Sequence, residues 1–269
     1  MEAISSLHNP LIKRIRNLKQ KKYRTRKKLF LLEGIRILEE ALHKDWPLHS
    51  VLYSSRLLDS ERGQALHALC AKRGVPLYPC TSKVLASLTG TETDQGVIAV
   101  AEQRQDNWQS IWHKKENMLA VLVDGVQDPG NLGTIIRTAA ALAADAVFLS
   151  RGTTDLYSEK TVRSTMGALF YLPVFAVDDL AGFLSEVKEQ GIVLAAGDLD
   201  AELYCSQADF VQPLMLCLGN EGNGISQTVR DMADLKVRIP MPGRTESFNV
   251  GIASGILLYE AVRQRLEGK

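Results

Sequence analysis

The stretch Ile239-Pro240-Met241-Pro242-Gly243-Arg244-Thr245-Glu246-Ser247-Phe248-Asn249-Val250 organises the reading of this chain. A short apolar strand, Val237–Ile239, runs into it. Pro240, Pro242 and Gly243 stop that strand and turn the backbone tightly. Ser247 and Asn249 carry side chains that satisfy the free N–H groups of a helix start. The helix that follows presents Val250, Ala253, Ser254, Leu257, Leu258 and Ala261, an apolar stripe at helical spacing with its small residues first. Small side chains there let a second backbone or a ligand come close. Taken alone, the stretch reads as an ordinary loop and helix. Two loops upstream change that.

The first is Asp124-Gly125-Val126-Gln127-Asp128-Pro129-Gly130-Asn131-Leu132-Gly133-Thr134-Ile135-Ile136-Arg137. It follows a buried strand, Met118–Asp124. Asp128 to Asn131 is a turn, with Asn131 placed to cap the next helix. Arg137 is a lone charge on an Ala-rich helix, and by itself reads as an exposed helix residue. Glycines 125, 130 and 133 do not fit a dinucleotide-binding G-x-G-x-x-G. The second is Leu216-Cys217-Leu218-Gly219-Asn220-Glu221-Gly222-Asn223-Gly224-Ile225-Ser226, where another buried strand enters a glycine-rich turn bearing one carboxylate. Glycines let backbone amides approach a ligand. No Lys-Ser/Thr follows, so it is not an ATP-type phosphate loop. Glu221 is either a helix-start carboxylate or a positioned group in a site.

Working outward, strands and helices alternate in two blocks. Strands Leu29–Leu32, Val51–Tyr53, Pro76–Tyr78 and Gly96–Ala101 alternate with helices Ile35–His43, Glu61–Arg73 and Ser82–Leu88, which predicts a small α/β domain. The polar turn Thr89–Gly96 is either a ligand contact or a plain connection. Gln103–Asn117 holds Trp108 and Trp112 without periodicity and reads as a linker. In the second block, strands Met118–Asp124, Ala146–Ser150, Pro173–Ala176, Val193–Gly197, Leu214–Gly219 and Leu235–Ile239 alternate with helices Asn131–Ala143, Ser158–Leu169, Leu180–Gln190 and Asn249–Leu266. Near-continuous apolar strands between helices predict a mostly parallel sheet covered on both faces. In such a sheet, ligands collect at the carboxyl ends of strands. The expected organisation is a basic helix or arm over 1–28, an α/β domain over 29–102, a linker over 103–117 and a second α/β domain over 118–269.

Hydrophobic residues make up 45% of the chain, yet no apolar run approaches the ~20 residues of a membrane span. The charged N-terminus has no signal-peptide h-region. Cys70, Cys80, Cys205 and Cys217 are scattered without C-x-x-C, and the five histidines are dispersed. Neither a disulfide frame nor a metal site is expected, and the cysteines read as reduced core residues of a cytoplasmic protein. The net charge of +1 conceals a polarity. Residues 1–28 hold ten Lys/Arg against Glu2 alone, leaving 22 basic and 30 acidic residues in 29–269, a net of −8. Asn9 and Pro10 mark a helix start, and Leu11, Ile15 and Leu18 form its apolar stripe. Lys13, Arg14, Lys21, Lys22, Arg24, Arg26, Lys27 and Lys28, with Arg16 and Lys19, cover the rest. A face of one sign suits a phosphate backbone, where clustered cations gain from counterion release. A merely solvated arm is the plainer alternative.

Together the three loops resemble the three motifs of the SpoU (TrmH-like) branch of the SPOUT RNA methyltransferases. The matching pieces are Asn131 with Arg137, then Gly219-Asn220-Glu221-Gly222-Asn223-Gly224, then Ile239-Pro240-Met241 with Ser247-Phe248-Asn249-Val250, in the family's order over 118–269. Asn9-Pro10 through Glu33-Gly34 resembles the substrate-binding domain attached to ribosomal-RNA members. The resemblance implies a C-terminal α/β domain with a deep trefoil knot, preceded by a small RNA-binding α/β domain. It implies S-adenosylmethionine held in the knot by backbone groups of Gly197, Gly219, Ile239 and Phe248. Leu218 and Met241 would be apolar neighbours, with Asn220 and Asn249 beside them. The family usually has Leu where this chain has Phe248, a change a backbone contact survives.

The reaction so implied is methyl transfer to a ribose 2′-hydroxyl of RNA, ribosomal RNA first, by a homodimer with no metal. The resemblance gives Arg137 the base-like role. Because Arg almost never deprotonates, Arg137 is read here as holding a phosphate or the developing alkoxide. Asn131, Glu221, Ser247 and Asn249 then orient it and the loops. Two alternatives stay open: a transfer-RNA methyltransferase of the same family, and a non-catalytic RNA-binding or ribosome-assembly protein.

Overall fold

The structure, a computed structural model, describes residues 2–90, 95–104 and 107–268, with Lys115 through its backbone only. Residues 91–94 of the polar turn and 105–106 of the expected linker therefore lie outside the described residues. In chain order the elements are α1 (Pro10–Asn17), α2 (Lys21–Lys27), β1 (Leu29–Glu33), α3 (Ile35–His43), β2 (Leu48–Tyr53), α4 (Glu61–Lys72), β3 (Leu77–Pro79), α5 (Ser82–Ala86), β4 (Val97–Glu102), β5 (Leu119–Val123), α6 (Pro129–Ala141), β6 (Ala146–Ser150), α7 (Glu159–Ser164), β7 (Val174–Val177), α8 (Leu180–Glu189), β8 (Val193–Gly197), β9 (Leu203–Tyr204), β10 (Leu214–Leu218), α9 (Gln227–Met232), β11 (Leu235–Arg238) and α10 (Val250–Glu267). Contacts divide the chain into two units: Met1–Gln105 with Asp155–Phe170, and Asp106–Thr154 with Tyr171–Lys269.

The first unit is built on a four-stranded sheet in the order β1-β4-β2-β3, antiparallel except for the β2–β3 pair. Asn9 caps α1, its Oδ1 accepting from the Leu11 N–H at 2.8 Å. Ile15 and Leu18 of the expected stripe are buried with Leu31, Leu52 and Ile98; Ile12 is the third buried residue, and Leu11, expected in that place, is only partly buried against them. Arg24 is 5% exposed. Its Nε and Nη2 donate to Asp155 Oδ2 at 3.1 and 2.5 Å, and its Nη1 donates to the carbonyls of Leu18 and Lys19. The helix expected over Ser158–Leu169 is shorter: α7 ends at Ser164, and a single 3-10 turn follows at Ala168–Phe170. Met166 and Gly167 lie between them at φ +51° and +91°, left-handed positions that break the helical hydrogen-bond ladder.

The second unit carries seven strands in the order β7-β6-β5-β10-β8-β11-β9, and every pairing given for it is parallel. β5, β6 and β10 are buried at every residue, as strands covered on both faces must be. The segment expected as a linker holds a 3-10 helix, Trp108–Asn117. Ile111 is buried in the core of Phe148, Phe183 and Met215, and Trp108 and Trp112 pack against it. Trp112 Nε1 also donates to Glu186 Oε1 at 2.8 Å. Trp108, Ile111 and Trp112 stand at i, i+3 and i+4, but a single such set among polar neighbours is too short to show a sustained period.

From β5 the chain runs outward through β6 to β7; β10, β8, β11 and β9 lie on the other side of β5. The reversal between β5 and β10 separates the loops at the carboxyl ends of these strands and opens a crevice there. Behind it α10 lies against α6. A Cβ on Gly251 would sit 3.0 Å from Thr134 Cγ2, and one on Gly255 3.6 Å from Thr138 Cγ2. Among the described residues no helix is long and apolar enough to cross a membrane, and no group of three His, Cys, Asp or Glu is placed to hold a metal. All four cysteines are free and buried.

Candidate active site

Helix α6 begins two residues earlier than the sequence reading placed it. Its cap is Asp128, whose Oδ1 accepts from the Asn131 N–H at 2.9 Å. Asn131 is therefore inside the first turn, and its side chain is free of capping. Its Nδ2 donates to Glu221 Oε1 at 2.8 Å, and its Oδ1 accepts from Asn249 Nδ2 at 2.8 Å. Asn249 caps α10, its Oδ1 accepting from the Gly251 and Ile252 N–H groups at 2.9 and 3.3 Å. One run of side chains, Glu221–Asn131–Asn249, thus ties the three loops together.

The turn after β10 is closed by an Asn220–Gly224 pair, N–H to carbonyl at 2.8 Å one way and 3.0 Å the other. Gly224 takes φ +68°, a conformation glycine adopts without strain. Asn220 Oδ1 accepts from the Gly222 and Asn223 N–H groups, and its Nδ2 donates to the Gly125 carbonyl at 2.8 Å. Gly219 has no room for a side chain: a Cβ would fall 2.1 Å from the Gly224 carbonyl carbon and 2.2 Å from the Ile225 nitrogen. Glu221 also accepts from the Gln127 and Asp128 N–H groups at 3.1 and 3.2 Å. Burial works to raise the Glu221 carboxyl, but the Asn131 side-chain donor and these backbone donors outweigh it and hold it below the ordinary carboxylate value. Glu221 is an ionised acceptor, unsuited to take a proton at neutral pH.

Beside this network a cavity of about 320 Å³ opens at the carboxyl ends of β8, β10 and β11. Gly197, Leu218, Gly219, Asn220, Ile239, Met241, Phe248 and Asn249 all line it, as do Glu221 and Ser247. Asn131 is not in the lining and reaches it through its bonds to Glu221 and Asn249. Arg137 lies on an exposed face of α6, about 9 Å further along the helix axis than Asn131. Among the described residues its guanidinium has no hydrogen bond or ion pair.

Several lining residues escaped the sequence reading. Asp198 follows Gly197 at the end of β8; its Oδ2 accepts from Arg230 Nη1 at 2.6 Å. Val250, Ala253 and Leu257 are one stripe of α10, visible in the sequence as apolar helix residues but not as a cavity wall. Arg238 is the last residue of β11. Its guanidinium lies 4.7 Å from the Tyr204 ring centroid, and its Nε is buried without a hydrogen-bond partner.

The basic residues at the N-terminus sort by exposure. Lys13, Arg14, Lys21, Lys22, Arg26, Lys27 and Lys28 are exposed. Arg24 is buried against Asp155, so its charge is spent inside the unit.

The cavity suits S-adenosylmethionine. Its volume falls in the ~300–1,000 Å³ range of small-molecule sites, its walls mix Leu218, Met241 and Leu257 with loop backbone, and Gly197 and Gly219 keep that backbone bare. The SpoU rRNA methylase family profile matches residues 118–259, and the MRM3-like substrate binding domain profile matches residues 9–99. The 23S rRNA (guanosine(2553)-2'-O)-methyltransferase RlmP of Bacillus subtilis is 33% identical over 265 residues, 96% of this chain and 98% of that one. The crystal structure of the SpoU methyltransferase AviRb from Streptomyces viridochromogenes in complex with AdoMet aligns with a TM-score of 0.87 at 32% identity, covering 97% of this chain and 100% of that one. That of an AdoMet-bound rRNA methyltransferase from Sinorhizobium meliloti aligns with a TM-score of 0.86 at 33% identity, covering 97% of each. A profile that spans β5 through most of α10, and with them all three tied loops, leaves one assignment: the chain belongs to the SpoU rRNA methylase family.

Proposed function

We propose that this protein transfers a methyl group from S-adenosylmethionine to a ribose 2′-hydroxyl of ribosomal RNA. The observation that carries the reading is the Glu221–Asn131–Asn249 run of hydrogen bonds, which joins three loops, 118 residues apart at the extremes, beside one cavity. A plain RNA-binding protein has no use for such a constellation.

S-adenosylmethionine supplies an electrophilic methyl group on a sulfonium. The chain's residues supply position and charge. Backbone groups at Gly197, Gly219, Ile239 and Phe248 hold the cofactor, with Leu218 and Met241 against its apolar parts and Asn220 and Asn249 beside it. Arg137 stays a cation throughout; it steadies a phosphate or the oxygen of the reacting hydroxyl as negative charge develops there. The hydroxyl proton leaves late, to water, so no side chain of ordinary basicity is required. Asn131, Glu221 and Ser247 act on position.

The same reading assigns residues 1–28 and 29–102 to RNA contact, 103–117 to the connection and 118–269 to the chemistry, in a cytoplasmic protein. Lys13, Arg14, Lys21, Lys22, Arg26, Lys27 and Lys28 meet phosphates. Arg24, given its burial, supports their helices instead. The C-terminal segment passes through a loop as a trefoil knot; in support, β11 inserts between β8 and β9 while β10 lies on the far side of β8. The protein works as a homodimer; in support, Ile252 and Tyr259 of α10 are 53% and 61% exposed. Mapping 2′-O-methyl groups in ribosomal RNA from cells with and without the protein tests the function. Loss of one mark is expected, and an unchanged map defeats the reading.

A further inference from the structure

Arg238 is a charge in an unusual place. It ends β11, a strand whose preceding residue, Val237, is buried and paired with Gly197 and Leu203. Arg238 itself pairs across the sheet with Tyr204 of β9. Its guanidinium lies over the Tyr204 ring at 4.7 Å, and its Nη2 is 3.4 Å from the Tyr204 hydroxyl. Stacking of this kind holds the fork flat and fixed. Nε, however, is buried and finds no acceptor. A buried donor left unmade is costly, and it is expected to meet its partner in a bound state.

The other charged side chains lining the cavity are committed. Asp198 accepts from Arg230 Nη1 and from the Asp200 N–H. Glu221 accepts from Asn131, Gln127 and Asp128. Among the described lining residues, Arg238 is the one cation. S-adenosylmethionine has one anionic group, the α-carboxylate of its amino-acid end. A planar fork with an unmet N–H matches a carboxylate in shape and in charge.

We propose that Arg238 is the receptor for the α-carboxylate of the methyl donor, held ready by Tyr204, and that it sets the preference for the complete amino-acid tail. This rests on the methyltransferase reading and deepens it. The strand end, the stacked ring and the orphaned Nε carry it.

The test is calorimetric and needs no turnover. The full-length protein and its Arg238→Gln and Arg238→Lys variants are titrated with S-adenosylmethionine, its decarboxylated form and 5′-methylthioadenosine. The wild type is expected to prefer S-adenosylmethionine over the decarboxylated form by about 10- to 100-fold, the worth of hydrogen bonds to a charged group. Arg238→Gln loses that preference while binding 5′-methylthioadenosine as the wild type does, which also shows that the variant is folded. Arg238→Lys keeps part of the preference. Three results overturn the proposal: Arg238→Gln binding S-adenosylmethionine as well as the wild type; equal weakening for all three ligands; or weakened RNA binding with cofactor binding intact, which makes Arg238 a phosphate contact. A wild type that binds none of the three strikes the methyltransferase reading itself.

Discussion

Asn249 Nδ2 donates to Asn131 Oδ1 at 2.8 Å, joining two loops whose residues are 118 positions apart. Asn249 has two duties on two atoms: Oδ1 caps α10, and Nδ2 holds Asn131. Asn249→Asp separates them, because a carboxylate still caps a helix but donates nothing. The melting temperature should stay near the wild-type value, while the methyl-transfer rate falls about tenfold, the worth of one hydrogen bond at the upper end of the usual range. Asn249→Ala removes both and should cost about 1 kcal/mol more in stability. Full activity in Asn249→Asp would show that the junction does not position the site.

Glu221 carries the pH dependence of the same junction. Its folded-state value is depressed, so its stabilising contribution is fully present above the ordinary carboxylate range and is lost as pH falls through the folded value. Glu221→Gln removes the ionised acceptor shared by the Gln127 and Asp128 N–H groups and the Asn131 and Asn220 side chains. Thermal melts should therefore show wild type above variant by a constant margin from pH 6 to 8. The margin should close in acid, as pH falls through the depressed folded value and the wild-type carboxylate also takes up a proton. A margin that persists into acid would assign the effect to shape instead of charge.

How much of this was legible beforehand depended on distance along the chain. Gly219 and Gly224, Pro240 and Pro242, and the Asn249 cap are local signals, each legible within a few residues. The alternation of buried strands with helices was legible for the same reason. Asn131 was misplaced as the cap of α6 because Asp128, three residues earlier, is an equally good cap, and local chemistry does not choose between them. What decides is Glu221, 90 residues away, which claims the Asn131 side chain. Trp108 and Trp112 read as part of a linker because one i, i+3, i+4 set with Ile111, among polar neighbours, is too short to show a sustained period. Arg24 looked like its neighbours until Asp155 was seen beneath it. Arg238 gave no sign at all, since its meaning lies in Tyr204 and in a cavity that exists only once the sheet has formed.

The crossing of α6 and α10 yields a stability prediction with a built-in rescue. A Cβ on Gly251 would sit 3.0 Å from Thr134 Cγ2. Gly251→Ala should destabilise by about 1–2 kcal/mol, since overpacking exceeds the ~1 kcal/mol or less that Ala gains in a helix. Thr134→Ser deletes the opposing methyl, and the double variant should recover part of the loss, since Asn249 Oδ1 and Thr134 Cβ still stand 3.1 and 3.2 Å from the added Cβ. Urea midpoints that merely add across the two sites would refute the contact.

Arg265 gathers the carbonyls of Phe210, Asn117, Met118 and Gln212, at 3.0, 3.0, 2.9 and 2.8 Å. Burial pushes its guanidinium below the ordinary arginine value. Arg265→Met keeps the apolar stem and strips these acceptors of their donor, at a cost of about 3 kcal/mol. Arg265→Lys should recover only part, because an ammonium cannot reproduce a five-donor fork. Denaturant midpoints for the two variants check both statements.

The basic stretch makes the last prediction, and it separates two kinds of cation. Arg24 is buried in an ion pair with Asp155 and holds the carbonyls of Leu18 and Lys19. Removing one partner of such a pair strands the other, so Arg24→Ala should cost about 3–5 kcal/mol in folding. Lys21, Lys22 and Lys27 are exposed, and a triple Ala variant should melt with the wild type. Its defect should appear in RNA binding. Each phosphate contact contributes about −0.7 to the slope of log affinity against log salt on single strands. Three lost contacts should flatten the slope by about 2. An unchanged slope in the triple variant would mean that these lysines face solvent in the complex, and the basic stretch would then serve only the fold of its own unit.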